Sequence, residues 1–187
     1  MRLLFLENED SFTWNVIDAL PFERHEVCIR SGREAAQDRG ALDGFGAVVI
    51  GPGPTDPRRA GIANIVGAAA QARMPFLGIC LGCQALGLAF GANLVRTHPT
   101  HGQTSTIIFE PSRLFPDFLG PQTVMRYHSL SLTAVSAPLR VIARTTDLIP
   151  MAIEHESLPI AGLQFHPDSY ATPRGREMIA GFFRAVG

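Results

Sequence analysis

The chain has 187 residues, 46% of them hydrophobic, and a formal charge of -1, which suffices for one sizeable core and leaves no electrostatic footprint for a nucleic acid or an anionic membrane. All sixteen basic residues are arginine, so Schiff-base and lysine-base chemistry are excluded. The start, MRLLFLENEDSF, turns acidic at Glu7 and does not read as a signal peptide, and no apolar run approaches the ~18 residues of a membrane span, so a soluble cytoplasmic protein is expected.

In chain order, Leu3 to Leu6 reads as a first strand. A helix is predicted from Ser11 to Leu20, with Asp10 or Ser11 placed to cap it. Glu26 to Arg30 reads as a second strand, and Phe45 to Ile50 as a buried strand stopped by the rigid turn Gly51-Pro52-Gly53-Pro54. Ala-rich residues 58–72 predict a helix. Pro75 to Ile79 is another short apolar strand, running straight into a helical stretch that ends near Phe90. The second half changes to β-like runs at Thr104–Phe109, Gln122–Met125, Arg140–Ala143, Met151–Glu154 and Ile160–Phe165. A helix from Pro173 to Phe183, with the proline early in its first turn, completes the chain. The expectation is a single α/β domain over residues 1–187, its central, mostly parallel sheet flanked by helices and extended by antiparallel strands in the second half.

Cys28, Cys80 and Cys83 fit neither an even disulfide set nor a four-ligand metal pattern, so reduced thiols are expected. Cys80 and Cys83 form a CxxC, but no thioredoxin-like pattern accompanies it. Gly78-Ile79-Cys80-Leu81-Gly82 has the spacing of a nucleophile elbow, where a strand turns sharply into a helix and presents one side chain at the apex. Flanking glycines avoid a clash there. The N–H groups and dipole of the following helix favour a thiolate and offer donors to an oxyanion. A small buried hydrophobe is the other reading of Cys80.

A base is offered by His166 in Gln164-Phe165-His166-Pro167-Asp168. In an extended stretch Asp168 lies on the same side as His166, where its carboxylate accepts the imidazole N–H. The alternative is a surface histidine and a capping aspartate at a strand end.

The segment 75–91, PFLGICLGCQALGLAFG, resembles the nucleophile segment of class I glutamine amidotransferases. GPGP (51–54), HGQTS (101–105), RYHSL (126–130) and GLQFHPDS (162–169) follow in that family's order and approximate spacing. ENEDSFTWN (7–15) and RYHSL are similar to motifs of the branch containing anthranilate synthase component II and the amidotransferase subunit of aminodeoxychorismate synthase. The resemblance implies Cys80 as nucleophile, His166 as general base and acid, and Asp168 as the residue orienting it. It also implies an oxyanion hole from the N–H groups of Gly53 and Leu81, and a glutamine site formed by Pro52, Gly53, Pro54, Gln84, Ser129 and Leu130. No cofactor or metal is implied. The implied partner is a chorismate-using synthase subunit of the tryptophan or folate pathway, since these residues offer no chorismate site of their own.

Four positions depart from the family pattern. Asp168 stands for the usual Glu, Cys83 for a common His, Thr55 for a common Gly, and Gln103 for the usual Lys. They leave open a catalytically degenerate regulatory subunit, beside an amidotransferase of another pathway or a γ-glutamyl hydrolase using the same elbow.

Overall fold

Alternate residues of the first strand, β1 (Leu3–Glu7), enter two different cores: Leu3 and Phe5 pack on one face, Leu4 and Leu6 on the other. A strand buried on both sides reads as a continuous apolar run, which is the sequence pattern here. The computed structural model describes residues 1–187, the side chain of residue 60 excepted.

The chain continues through α1 (Thr13–Ala19), β2 (Val27–Ser31), α2 (Gly32–Ala35), β3 (Ala47–Ile50), α3 (Pro57–Ala60), α4 (Ala63–Gln71), β4 (Phe76–Ile79) and α5 (Leu81–Ala89). The second half contributes β5 (Asn93–Phe109), β6 (Gly120–Thr133), β7 (Leu139–Thr145), β8 (Pro150–His155), β9 (Ile160–Leu163) and α6 (Gly175–Val186). One nine-stranded sheet results, in the order β2-β1-β3-β4-β9-β8-β7-β5-β6. Its first five strands pair in parallel, and from β9 onward every pairing is antiparallel. The α/β sheet with antiparallel strands added by the second half is therefore present. Helices α1 and α6 cover the face that carries Phe5 and Ile79, and α4 and α5 cover the face that carries Phe76 and Ile50. Phe5 and Phe76 are fully buried, each worth about 1.5–3 kcal/mol of hydrophobic stabilisation.

Several local expectations are corrected. The helix expected over 58–72 is two helices, separated at Gly61, whose φ of +70° places it in the left-handed region that favours glycine and ends helices. Phe12, not Asp10 or Ser11, holds the cap position of α1; Asp10 acts one step earlier, its Oδ1 accepting from the Phe12 N–H at 2.9 Å. Pro173 lies outside α6. The strand expected at 104–109 is the last third of β5, whose earlier part carries two register shifts beside β6. His98-Pro99 and Gly102 interrupt the sequence pattern there, and the bulges absorb them.

One buried charge braces the antiparallel half. Glu154 on β8 is only 1% exposed, and its carboxylate accepts from Ser112 Oγ at 2.7 Å, the Leu114 N–H at 3.0 Å, the Arg113 N–H at 3.3 Å and Arg140 Nε at 2.9 Å. The loop between β5 and β6 is tied to the sheet through this one side chain.

Candidate active site

At the junction of β4 and α5 the backbone of Cys80 takes φ +51° and ψ -100°. For a non-glycine residue this costs of order 1–3 kcal/mol, and such strain is held only where the surroundings impose it. Here they do. The Cys80 N–H donates to the Leu163 carbonyl at 2.8 Å, and the Cys80 carbonyl accepts from the Gln84 N–H at 3.1 Å in the first turn of α5. A Cβ on Gly78 would stand 2.4 Å from the Gly82 carbonyl, and one on Gly82 would stand 2.3 Å from the Ile50 oxygen. Both glycines of the elbow motif are thus required by close backbone approach, as the spacing predicted.

The elbow opens into a cavity of about 370 Å³ at the carboxyl ends of the parallel strands, the usual place for a ligand in such sheets. Gly53, Pro54, Cys80, Gln84, Ser129, Leu130 and His166 line it, which brings together seven of the ten residues singled out from the sequence. Pro52, Leu81 and Asp168 are not in the lining. Leu81 is nonetheless adjacent to Gly53, since a Cβ on Gly53 would meet the Leu81 side chain at 2.9 Å. Asp168 sits behind His166. Asp10, Phe12, Thr55, His101, Tyr127 and His128 also line the cavity without having been given a role from the sequence. Phe12, Tyr127 and His128 stood in motifs noted for their resemblance alone.

His166 enters the cavity from the chain just beyond β9. Its N–H donates to the Met125 carbonyl at 3.0 Å, and its carbonyl accepts from Thr172 Oγ1 at 2.7 Å. The rings of Phe12 and Tyr127 meet the imidazole edge-on, with centroids 5.4 and 5.0 Å away. The extended stretch expected to pair His166 with Asp168 is corrected: β9 ends at Leu163, His166 keeps a single bridge to Met125, and Asp168 lies in the turn that follows. That turn still brings Asp168 Oδ1 to 3.4 Å from His166 Nδ1. The approach is off the line of a hydrogen bond, and both carboxylate oxygens are buried without a hydrogen-bond partner. The contact between the two is therefore electrostatic.

Burial pushes the His166 pKa down, but the Asp168 carboxylate and the Cys80 sulfur beside it outweigh that and raise it to about 10. An imidazolium facing a cysteine sulfur is the protonation pattern of an activated thiol. Burial, aided by the neighbouring Cys80, drives the thiol of Cys83 strongly upward, so the second cysteine of the CxxC is held as an inert thiol. That removes the redox reading.

Further back, His128 is buried. Its Nε2 faces Arg126 Nε at 3.1 Å and its Nδ1 faces the Leu130 carbonyl at 3.0 Å. An arginine only donates and a carbonyl only accepts, so the ring is neutral with its proton on Nδ1. Burial and the adjacent Arg126 cation lower its pKa to about 4. The Leu130 carbonyl also accepts from Gln84 Nε2 at 3.2 Å; the same nitrogen reaches Gln164 Oε1 at 3.2 Å, and Gln164 Nε2 stands 3.7 Å from Cys80 Sγ. Gln164 was not singled out from the sequence, although it stands two residues before His166 on a chain leaving a strand.

Residues 4–186 match the family model described as glutamine amidotransferase class-I. The chain is 40% identical over 193 residues to "Anthranilate synthase component 2" of Mycobacterium tuberculosis, with 100% of this chain and 83% of that protein covered. It is 38% identical over 192 residues to "Aminodeoxychorismate synthase" of Streptomyces griseus, covering 97% of this chain and 26% of that longer protein. Among solved structures, a candidate GMP synthase subunit from Thermoplasma acidophilum superposes with a TM-score of 0.85 at 21% identity, over 99% of this chain and 93% of the other. That last likeness concerns the fold.

Proposed function

Because the chain belongs to the class I glutamine amidotransferase family, we propose that it hydrolyses L-glutamine at Cys80 and delivers the ammonia to a chorismate-using synthase subunit. The observation that carries this reading is the strained Cys80 at the apex of its elbow, sharing one cavity with His166. Residues 1–187 act as one amidotransferase domain.

In this mechanism the Cys80 thiolate adds to the side-chain carboxamide of glutamine, and the N–H groups of Gly53 and Leu81 receive the negative charge that develops on its oxygen. The His166 imidazolium gives its proton to the departing nitrogen, so ammonia leaves and a γ-glutamyl thioester remains. His166, now neutral, takes a proton from water as the hydroxide adds to the thioester. Collapse of that adduct expels the thiolate and releases glutamate. Asp168 orients His166 and stabilises its charged form. Pro52, Gly53 and Pro54 flank the substrate, while Gln84 and the Ser129-Leu130 backbone hold its amino-acid end.

The names of the relatives support an anthranilate synthase or an aminodeoxychorismate synthase as the acceptor of ammonia, with the anthranilate enzyme favoured by the higher identity over most of both chains. Glutamate release is measured for the wild-type chain and Cys80→Ala, each alone and with either synthase subunit. Turnover that needs Cys80 and rises with one partner is expected; full turnover by Cys80→Ala would overturn the assignment. The orphaned oxygens of Asp168 favour a second reading, a degenerate regulatory subunit. Selective labelling of Cys80 by a glutamine-like electrophile separates the two, because a dead site does not single out one of three thiols.

A further inference from the structure

We propose that Gln164 is a further catalytic residue, a hydrogen-bond donor to the Cys80 sulfur, held in its donating orientation by a buried relay from the Leu130 carbonyl through Gln84. The proposal rests on the reading of Cys80 as the nucleophile. An isolated glutamine near a sulfur would present either end of its amide, but here the partners decide. The Leu130 carbonyl has only lone pairs to offer, so the Gln84 atom 3.2 Å from it is the nitrogen. That nitrogen lies 3.2 Å from the next amide, so the atom it meets there is the acceptor Oε1 of Gln164. The NH2 of Gln164 is then left facing Sγ at 3.7 Å, within reach of a long bond to sulfur. Gln84 and Gln164 are 4% and 1% exposed, so water does not compete for these positions and neither amide turns without breaking two bonds.

A donor at this point favours the charged sulfur over the neutral one. Sulfur carries charge as the attacking thiolate and again as it leaves the second tetrahedral adduct, and it loses that charge in the thioester between them. Gln164 therefore acts on the states that limit turnover. It is absent from the cavity lining, so its loss is expected to lower kcat and leave KM for glutamine nearly unchanged. A residue with a packing role alone predicts neither that split nor a moved titration.

The test follows the rate of iodoacetamide alkylation at Cys80 against pH in the full chain, read by fragment mass spectrometry that separates Cys80 from Cys83. Wild type is compared with Gln164→Met, which keeps length without a donor, and with Gln164→Glu, which keeps shape and presents an acceptor. The midpoint is expected to rise by about one pH unit in the Met variant and further in the Glu variant, with kcat falling about tenfold in the former. Should either variant melt below the assay temperature, Gln84→Leu, which removes the bond orienting the Gln164 amide, is expected to raise the midpoint by a smaller amount. An unmoved midpoint in every folded variant overturns the role of Gln164 while leaving Cys80 as nucleophile. Failure of wild-type Cys80 to alkylate ahead of Cys28 overturns the underlying site assignment itself.

Discussion

His166 Nδ1 and Asp168 Oδ1 stand 3.4 Å apart, buried together, with neither carboxylate oxygen engaged by a hydrogen bond. Lengthening the carboxylate by one methylene closes this gap, and Asp168 borders a second cavity shared with Ser169 and Tyr170 that can take the added atoms. Asp168→Glu is accordingly expected to retain or raise partner-stimulated kcat. Asp168→Asn, which removes the charge that holds His166 protonated, is expected to lower kcat/KM by about tenfold or more. Steady-state glutamate release compares the three proteins.

His128 makes stability sensitive to acid. Its pKa is about 4 in the folded chain against about 6.5 when unfolded, so below pH 6.5 the unfolded state binds the extra proton and stability falls as pH drops toward 4. The loss from this residue amounts to about 2–3 kcal/mol by pH 4.5. Urea unfolding at pH 7 and pH 4.5 should show a smaller difference for His128→Gln than for wild type. His166 has the opposite sign. Its folded pKa is raised to about 10, so its contribution is full below pH 6.5 and disappears as pH rises through 10; Asp168→Asn should flatten that alkaline limb in the same unfolding experiment.

Gly82→Ala places a Cβ 2.3 Å from the Ile50 carbonyl oxygen, whereas Gly91→Ala meets nothing within 4 Å and incurs only the strain of a φ of +86°. The first substitution is expected to cost about 3 kcal/mol or more and the second about 1 kcal/mol. Thermal melts of the two variants should differ accordingly, and a Gly82→Ala chain as stable as Gly91→Ala would contradict the elbow packing.

Glu154 is expected to dominate acid loss in the antiparallel half. Burial raises its pKa, but the donors Ser112, Leu114, Arg113 and Arg140 together outweigh that and hold it below the usual carboxylate range. Its stabilisation is present above the unfolded pKa of about 4.3 and is lost as pH falls through the lower folded value. Glu154→Ala orphans two backbone N–H groups and Arg140, and is expected to cost about 3 kcal/mol in urea unfolding at pH 7.

The elbow was legible because Gly78, Cys80 and Gly82 obey a steric rule that acts over five consecutive residues. The parallel strands were legible for a similar reason, each being a short apolar run with turn residues after it. The full length of β5 was not, because His98-Pro99 and Gly102 erase the alternation that the bulges opposite β6 restore in three dimensions. The pairing of His166 with Asp168 was anticipated through strand alternation, yet it arises from a turn secured by Thr172. The relay from Leu130 through Gln84 to Gln164 lies beyond any local pattern. Its successive members are 46 and 80 positions apart, and only the closure of β6 and β9 around α5 makes them neighbours.

Strand β9, residues 160–163, is the last strand in the sequence and yet lies in the middle of the sheet, between β4 and β8. The carbonyl that fixes the backbone of Cys80 belongs to Leu163 at its end. During synthesis, therefore, β4 waits with an open edge until nearly the whole chain has left the ribosome, and truncated or half-folded molecules hold their cysteine in an unaligned loop. Such molecules are exposed to edge-to-edge aggregation, but they are also unable to squander glutamine before assembly is complete.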